Sequence, residues 1–349
     1  MNSHHELYMR RCLELARQAE GLTYPNPMVG AVIVHNNKII GEGFHRKAGQ
    51  PHAEVIAIES VINKNLLKES TIYVNLEPCA HYGKTPPCAL RIIEEKIPEV
   101  IIGCMDSNSI VSGKGIEKLR SENIKVITGV LENECRYLNR RFFTYHEKKR
   151  PYIILKWAQT KDGFIDVDRK NNQTGNPTWI TDKDSRRLVH LWRSREQAIL
   201  VGSTTAINDN PQLTVRDWSG NNSLRLVLDR EGILPPNLSL FDGNTPTSVF
   251  TYNPKQNVNN IEYIQLIEGQ NPINSILATL FERKIESLIV EGGAKLINLF
   301  LCDNLWDEAR VFIGNKYFEK GLEAPHINQT PTISEKIGVD ILLIYRNNL

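Results

Sequence analysis

His52, Glu54, Cys79 and Cys88 are the residues whose types and spacing can do chemistry together. A neutral imidazole and two thiolates balance the charge of Zn²⁺ and match its preference for nitrogen and sulfur. Three protein ligands leave a fourth position for water, which is the catalytic pattern and not the closed structural one. Water held there has a pKa of about 7. Glu54 follows two residues after His52 in "PHAE" and is not needed as a ligand. It can carry a proton from that water to a ring nitrogen and then to a leaving amine. Taken singly, His52 reads as a helix-cap or surface histidine, and either cysteine as a small buried apolar residue. The four in order, each beside a strand or helix boundary, favour the metal reading.

These side chains need elements to hold them. "HAEVIAIESVIN" reads as a helix beginning just after Pro51, and "STIYVNL" as a strand feeding into "EPCAHYGKTPPC". Pro78 and Cys79 are expected to open another helical turn. Cys88 follows Pro86 and Pro87, a pair suited to the start of the helix "CALRIIEEKI". Positive helix N-termini favour deprotonated thiols. Eight residues separate the two cysteines, and the stiff prolines keep Cys88 in place while Gly83 and Lys84 enter beside the site. His81 in that loop is a spare ligand, a substrate contact or an exposed residue. Cys12, Cys104, Cys135 and Cys302 lack such partners and read as core or surface thiols. Upstream, Ser3 and Glu6 form a capping-box pattern. Leu7, Cys12, Leu15, Ala16 and Ala19 share a helical face that Gly21 can end. "MVGAVIVHNNKIIGEG" reads as two strands around an Asn-Asn turn. "EVIIGCM", "GIEKLRSENI" and "KVITGV" complete an α/β layer fold ending near Tyr145.

A chain of 349 residues is long enough for two domains, and 41% hydrophobic with 23% charged residues supports a full core. The net charge of +2 demands neither nucleic acid nor membrane as a partner. The charged N-terminus has no apolar signal-peptide region, and no apolar run is long enough for a bilayer. Six cysteines without an export signal read as reduced thiols or metal ligands, so the cytoplasm is the expected compartment. The charged "HEKKRP" marks a boundary between domains 1–147 and 148–349.

The second half alternates again, from "YIILKWA" through "KDSRRLVHLWRSRE", "AILVG", "LRLVLD", "SVFTY", "PINSILATLFERK" and "SLIVEGG" to "AKLINLFLC". It has no G-x-G-x-x-G. Gly292 and Gly293, between a strand and a helix N-terminus, make either an anion pocket for a dinucleotide phosphate or a plain tight turn. "GSTTAINDNPQLTVR" reads as a polar loop after a buried strand. Arg193 and Arg216 can grip a sugar phosphate, although either alone is more often a solvated arginine.

"HAE" followed by "EPCxxxGKTPPC" resembles the deaminase half of the bifunctional deaminase/reductases of riboflavin biosynthesis. "PNPMVGAVIV" and "GEGFHRKAGQPHAE" are similar to that family too. So are "LKWAQTKDG", "TWIT", "HLWRSREQAILVGSTTAINDNPQLTVR" and "VEGGAKLINLFL" in the second half. Zinc deaminases in general share H-x-E…P-C-x-x-C, but with two residues in the second gap. The resemblance implies a cytidine-deaminase-like domain followed by a dihydrofolate-reductase-like domain. It makes His52, Cys79 and Cys88 zinc ligands and Glu54 the proton shuttle, and puts Asn26 along the pyrimidine pocket. It implies NADPH contacts at Ala158, Trp179, Thr205, Asp209 and the turn Gly293, Ala294, Lys295, Leu296, Ile297, Asn298, Leu299. Substrate contacts fall on Arg193, Leu213, Arg216 and Glu291, with Lys156 in reach. The implied substrate is 2,5-diamino-6-(5-phosphoribosylamino)pyrimidin-4(3H)-one, and the implied assembly a homo-oligomer. The chain departs from the family at Ser107 and Ser109, usually proline, with Asn108 and Gly113 kept. It departs again at Pro177, often serine, and at Asn210, in place of a second acid. Two rival readings are a deaminase of another nucleobase, which usually has the short gap and no second domain, and a binding protein with a structural zinc. The latter needs a fourth ligand, and only His81 is near.

Overall fold

The computed structural model describes residues 3–80, 82, 86–107, 113–169 and 175–347. His81, Gly83 and Lys84 of the cysteine loop, Asn108, Ser109 and Asn171 lie outside the described residues, as does the side chain of Ser3. The chain divides into two units, Met1–Lys149 and Arg150–Leu349.

The first unit runs α1 (Ser3–Arg17), β1 (Gly30–His35), β2 (Lys38–Phe44), α2 (Ala53–Ser60), β3 (Thr71–Leu76), α3 (Cys88–Glu94), β4 (Glu99–Cys104), α4 (Lys114–Ser121), β5 (Lys125–Ile127), α5 (Glu132–Leu138) and α6 (Arg140–Lys148). Its sheet has the order β2-β1-β3-β4-β5. β1 is antiparallel to both neighbours, and β3, β4 and β5 are parallel. Asn36 and Asn37, at φ 47 and φ 61, make the tight turn between β1 and β2. Side chains alternate across each strand. Ala31 and Ile33 join the apolar cluster under α2, α3 and α4, whereas Val32 and Val34 join the one under α1, α5 and α6. The sheet is therefore covered on both faces.

The second unit runs β6 (Tyr152–Gln159), β7 (Phe164–Val167), α7 (Lys183–Arg195), β8 (Ala198–Gly202), α8 (Ser203–Asp209), β9 (Leu224–Leu228), β10 (Thr247–Thr251), β11 (Ile261–Gln265), α9 (Pro272–Glu282), β12 (Ser287–Glu291), α10 (Ala294–Cys302), β13 (Glu308–Ile313), β14 (Gly321–Glu323), β15 (Ile333–Ile337) and β16 (Asp340–Arg346). Nine strands form one sheet in the order β11-β10-β9-β8-β12-β6-β13-β16-β15. It is parallel from β11 to β13 and antiparallel at the β16 and β15 edge. β7 and β14 pair separately.

Several expectations need correction. Residues 77–80 are irregular, so Cys79 opens no helical turn. Leu7 is 61% exposed, and Tyr8 and Met9 fill the core place expected of it. α5 and α6 carry the first unit past Tyr145. The first part of the expected polar loop after β8 is helix α8. The strands β7, β11 and β13 to β16 were not expected. β15 is mostly exposed and carries no alternation to read, and β7 and β14 are very short.

Candidate functional site

His52 is the N-cap of α2, and Cys88 is the first residue of α3 behind Pro87. Cys79 hangs from the irregular segment after β3. His52 Nδ1 lies 3.2 Å from Cys88 Sγ and 3.6 Å from Cys79 Sγ. One ligand atom from each residue lies within 4.8 Å of the others, the one such group found among the described residues. Tetrahedral Zn–N and Zn–S bonds separate nitrogen from sulfur by about 3.6 Å, so this donor set fits the ion. Hydrogen bonding from Cys88 holds the Cys79 thiol down at about 4 against the opposing effect of burial, and His52 adds to the effect. Glu54, on the first turn of α2, is 3% exposed. Burial pushes its carboxyl up to about 7. Cys12, Cys104 and Cys135 are buried free thiols and Cys302 is exposed.

Two neighbours went unnoticed in the sequence. His45 is 2% exposed. Its Nδ1 faces Pro51 O at 3.1 Å, and its Nε2 faces Asn26 Nδ2 at 3.0 Å. Its ring meets the His52 ring edge-on at 5.3 Å, so Asn26 does belong to the surroundings of the metal donors. Glu77, just before Pro78 and Cys79, is buried as well. Its carboxylate accepts from the backbone N–H groups of Asp106, Gly113, Gly115 and Ile116 at 3.0–3.3 Å. It thereby ties the strand that leads to Cys79 to the approach of α4. The signal for both was their place inside motifs already singled out.

In the second unit, the C-terminal ends of parallel strands collect the remaining candidates, where open α/β sheets bind ligands. Glu291 ends β12 and pairs in register with Lys156 on β6. Arg193 Nε and Nη2 each donate to the Glu291 carboxylate at 2.8 Å, and Lys156 Nζ lies 3.6 Å away. Arg193 Nη1 donates to Thr214 O, so all three guanidinium nitrogens are engaged inside the protein. Arg216 is exposed, bonding Gln212 Oε1 at 2.9 Å. Leu213 is buried with φ 55, a backbone conformation that leucine rarely adopts. His190, missed in the sequence, accepts from Arg216 N.

Thr205 on α8 accepts from Gly293 N at 2.8 Å, joining the helix after β8 to the N-cap of α10. A Cβ at Gly292 would meet nothing closer than 3.6 Å. The chain itself does not require glycine there, and the open backbone beside a helix N-terminus fits a phosphate. The expected contact turn at 293–299 is an N-cap followed by helix: Leu296 and Ile297 face the apolar core, whereas Lys295 and Asn298 are exposed. Arg169 bonds Asp209, Asn208 O, Asn176 O and Thr178 Oγ1. It thus ties Asp209 to the segment leading to Trp179. Burial pushes the Asp209 carboxyl up to about 6 even though Arg169 opposes it. Trp179 is 51% exposed under the Arg186 guanidinium at 4.5 Å. Ala158 lies on β6 against the α7 side of the core. Pro177 is exposed, and Asn210, at φ 41, accepts from Ser239 N at 2.7 Å.

Residues 2–104 match the cytidine and deoxycytidylate deaminase zinc-binding region, and residues 151–322 match the RibD C-terminal domain. The riboflavin biosynthesis protein RibD of Aquifex aeolicus is 42% identical over 321 residues, covering 90% of this chain and 88% of the relative. That of Synechocystis is 35% identical over 92% and 86%. A crystal structure from Thermotoga maritima has a TM-score of 0.87 at 41% identity and covers 99% of both chains. It is described as a diaminohydroxyphosphoribosylaminopyrimidine deaminase/5-amino-6-(5-phosphoribosylamino)uracil reductase. RibD of Acinetobacter baumannii has a TM-score of 0.86 at 32% identity over 98% of both. Neither a single-domain nucleobase deaminase nor a structural-zinc protein would show likeness across both units. The chain belongs to the RibD family of riboflavin biosynthesis, with a cytidine-deaminase-like zinc-dependent deaminase domain followed by a dihydrofolate-reductase-like, NADPH-dependent reductase domain.

Proposed function

We propose that the first unit deaminates 2,5-diamino-6-(5-phosphoribosylamino)pyrimidin-4(3H)-one, and that the second reduces the ribosyl chain of the product to ribityl. His52, Cys79 and Cys88 hold zinc, and Glu54 moves protons. Bound zinc would supply the Lewis acidity that lets water add to the amine-bearing ring carbon, and bound NADPH would supply the hydride that adds at C1′ as the C1′–O4′ bond opens and O4′ takes a proton. Glu54 takes one proton from the water and passes it to the ring nitrogen, then takes the second from the hydroxyl left on the carbon and passes it to the amine, so that ammonia leaves and a carbonyl remains. The observation that carries this reading is the meeting of three donor atoms within 4.8 Å beside a buried carboxyl. In the second unit, Ala158, Trp179, Thr205, Asp209 and the 293–299 segment contact the cofactor. Arg216, Leu213, Glu291 and Lys156 face the ribotide, and Arg193 acts by fixing Glu291. The reading keeps the domain boundary at 147/148, inside the charged "HEKKRP" stretch and two residues before the division between the compact units, and takes the protein to be a homo-oligomer working in the cytoplasm. Sedimentation showing a lone protomer at every concentration, or fractionation finding the protein outside the cytoplasm, would count against that last pair.

The test is product mass spectrometry with the zinc-loaded protein and the diaminopyrimidine ribotide. The expected result is exchange of amine for oxygen with ammonia release without NADPH, and a gain of two hydrogens with it. Glu54→Gln is expected to keep zinc and slow ammonia release by about 10²-fold or more. Cys88→Ala is expected to lose the metal. Full turnover in the first variant, or full zinc content in the second, removes the role assigned to that residue.

A further inference from the structure

The Arg216 segment lies outside any helix or strand, between α8 and β9. Something must hold its backbone for the exposed guanidinium to meet an anionic ligand in a fixed place. His190 lies three residues before Arg193 on α7, so the two share a helical face. It is 6% exposed. The backbone N–H of Arg216 donates to His190 Nδ1 at 3.3 Å, which puts the ring proton on Nε2, 3.6 Å from the Asp217 carboxylate. We propose that His190 is a positioning residue of the reductase reaction: as a neutral acceptor it docks the Arg216 backbone on α7 and so presents the Arg216 guanidinium to the substrate phosphate. This rests on the reading of Arg216 as a substrate contact.

Four charged groups face the ring: Arg193 on α7, Arg216 and Asp217 on the docked segment, and Glu291 at the end of β12. Burial lowers the pKa of His190, the two arginines add to this, and the two carboxylates oppose it. The net direction keeps the imidazole neutral and Nδ1 able to accept. Protonation would place a hydrogen on Nδ1 and break the bond to Arg216 N–H.

The experiment follows NADPH oxidation by the full-length protein acting on the deaminated ribotide. His190→Leu is expected to raise the KM for the ribotide about tenfold, the worth of one hydrogen bond, with kcat, the KM for NADPH and ammonia release by the first unit unchanged. His190→Asn should restore KM, because its Oδ1 occupies the place of Nδ1. The ratio of wild-type KM to His190→Asn KM cancels ionisation of the substrate phosphate. That ratio should rise as pH falls through the titration of His190. An unchanged KM in His190→Leu, no rescue by His190→Asn, or a flat ratio overturns the role. If His190→Leu does not fold, the pH dependence of the ratio decides alone. Arg216→Ala, assayed alongside, separates the two claims. An unchanged KM there removes the reading of Arg216 and the inference with it, whereas a raised KM there with an unchanged KM in His190→Leu removes only the role of His190.

Discussion

Glu291 is a carboxylate that burial alone would push upward. The Arg193 and Lys156 charges and two Arg193 hydrogen bonds overcome this and hold it at about 2, against an ordinary 4.5. A depressed folded-state pKa adds stability that is fully present above pH 4.5 and is lost as pH falls from there through about 2. Glu291→Gln leaves two cations without their counter-charge, which at neutral pH costs roughly 3 kcal/mol. The difference in urea-unfolding free energy between wild type and Glu291→Gln should therefore narrow as pH falls through that window. A constant difference would mean that the pair is not the source. Under the proposed function the same carboxylate would face the ribotide, and its fixed charge would then serve both the fold and the site.

Two elements owe their positions to particular contacts, one with the neighbouring strand and one made far away in the sequence. α2, which carries Glu54 behind its N-cap His52, lies close against β2 because Gly41 and Gly43 have no side chains. A Cβ on Gly43 would sit 2.6 Å from Ala53 O and Ala57 N. Gly43→Ala is expected to push the helix away, cost about 1–3 kcal/mol and lower the zinc retained per chain on dialysis. Unchanged zinc content and stability would show that the contact yields freely. α7, which carries His190 and Arg193, is capped from β16. Asp340, 1% exposed, accepts from Asp182 N at 2.8 Å and Ser185 Oγ at 2.6 Å. Asp340→Ala should cost about 1–2 kcal/mol. It should also raise the KM for the ribotide with little change in the KM for NADPH, a split that steady-state kinetics reads directly.

Each unit of the whole molecule contains its own covered sheet and its own set of reactive side chains. The metal donors and Glu54 all fall in the first unit, and Glu291, Lys156, Arg216 and the Thr205–Gly293 bond all fall in the second. A chelator that strips zinc should therefore stop ammonia release. NADPH oxidation should continue when the deaminated ribotide is supplied. Loss of both activities on chelation would show that the second half depends on the metal. No helix among the described residues is long and apolar enough to cross a membrane.

The sequence by itself determined which three side chains are candidate metal donors, which carboxyl lies beside them and the alternation of strands and helices. The reason is local: a Pro-Cys after a β-branched run, a Pro-Pro before Cys88 and periodic apolar residues act over a few positions of chain. It also marked Gly292 and Gly293 as bare backbone before a helix. Only the tertiary structure decided which distant groups share one place. Arg193 reaches Glu291 across 98 residues, Asp340 caps α7 across 155, and Met28 is held by Asn139 across 111. None of these pairs has a local signal, because neither partner's neighbours in the chain name the other. His45, Glu77 and His190 look like ordinary polar residues until folding buries them, and a buried polar group must find a partner. Where that partner lies is fixed by the packing of sheets and helices, which is why the donors could be read in the sequence and the groups that hold them in place could not.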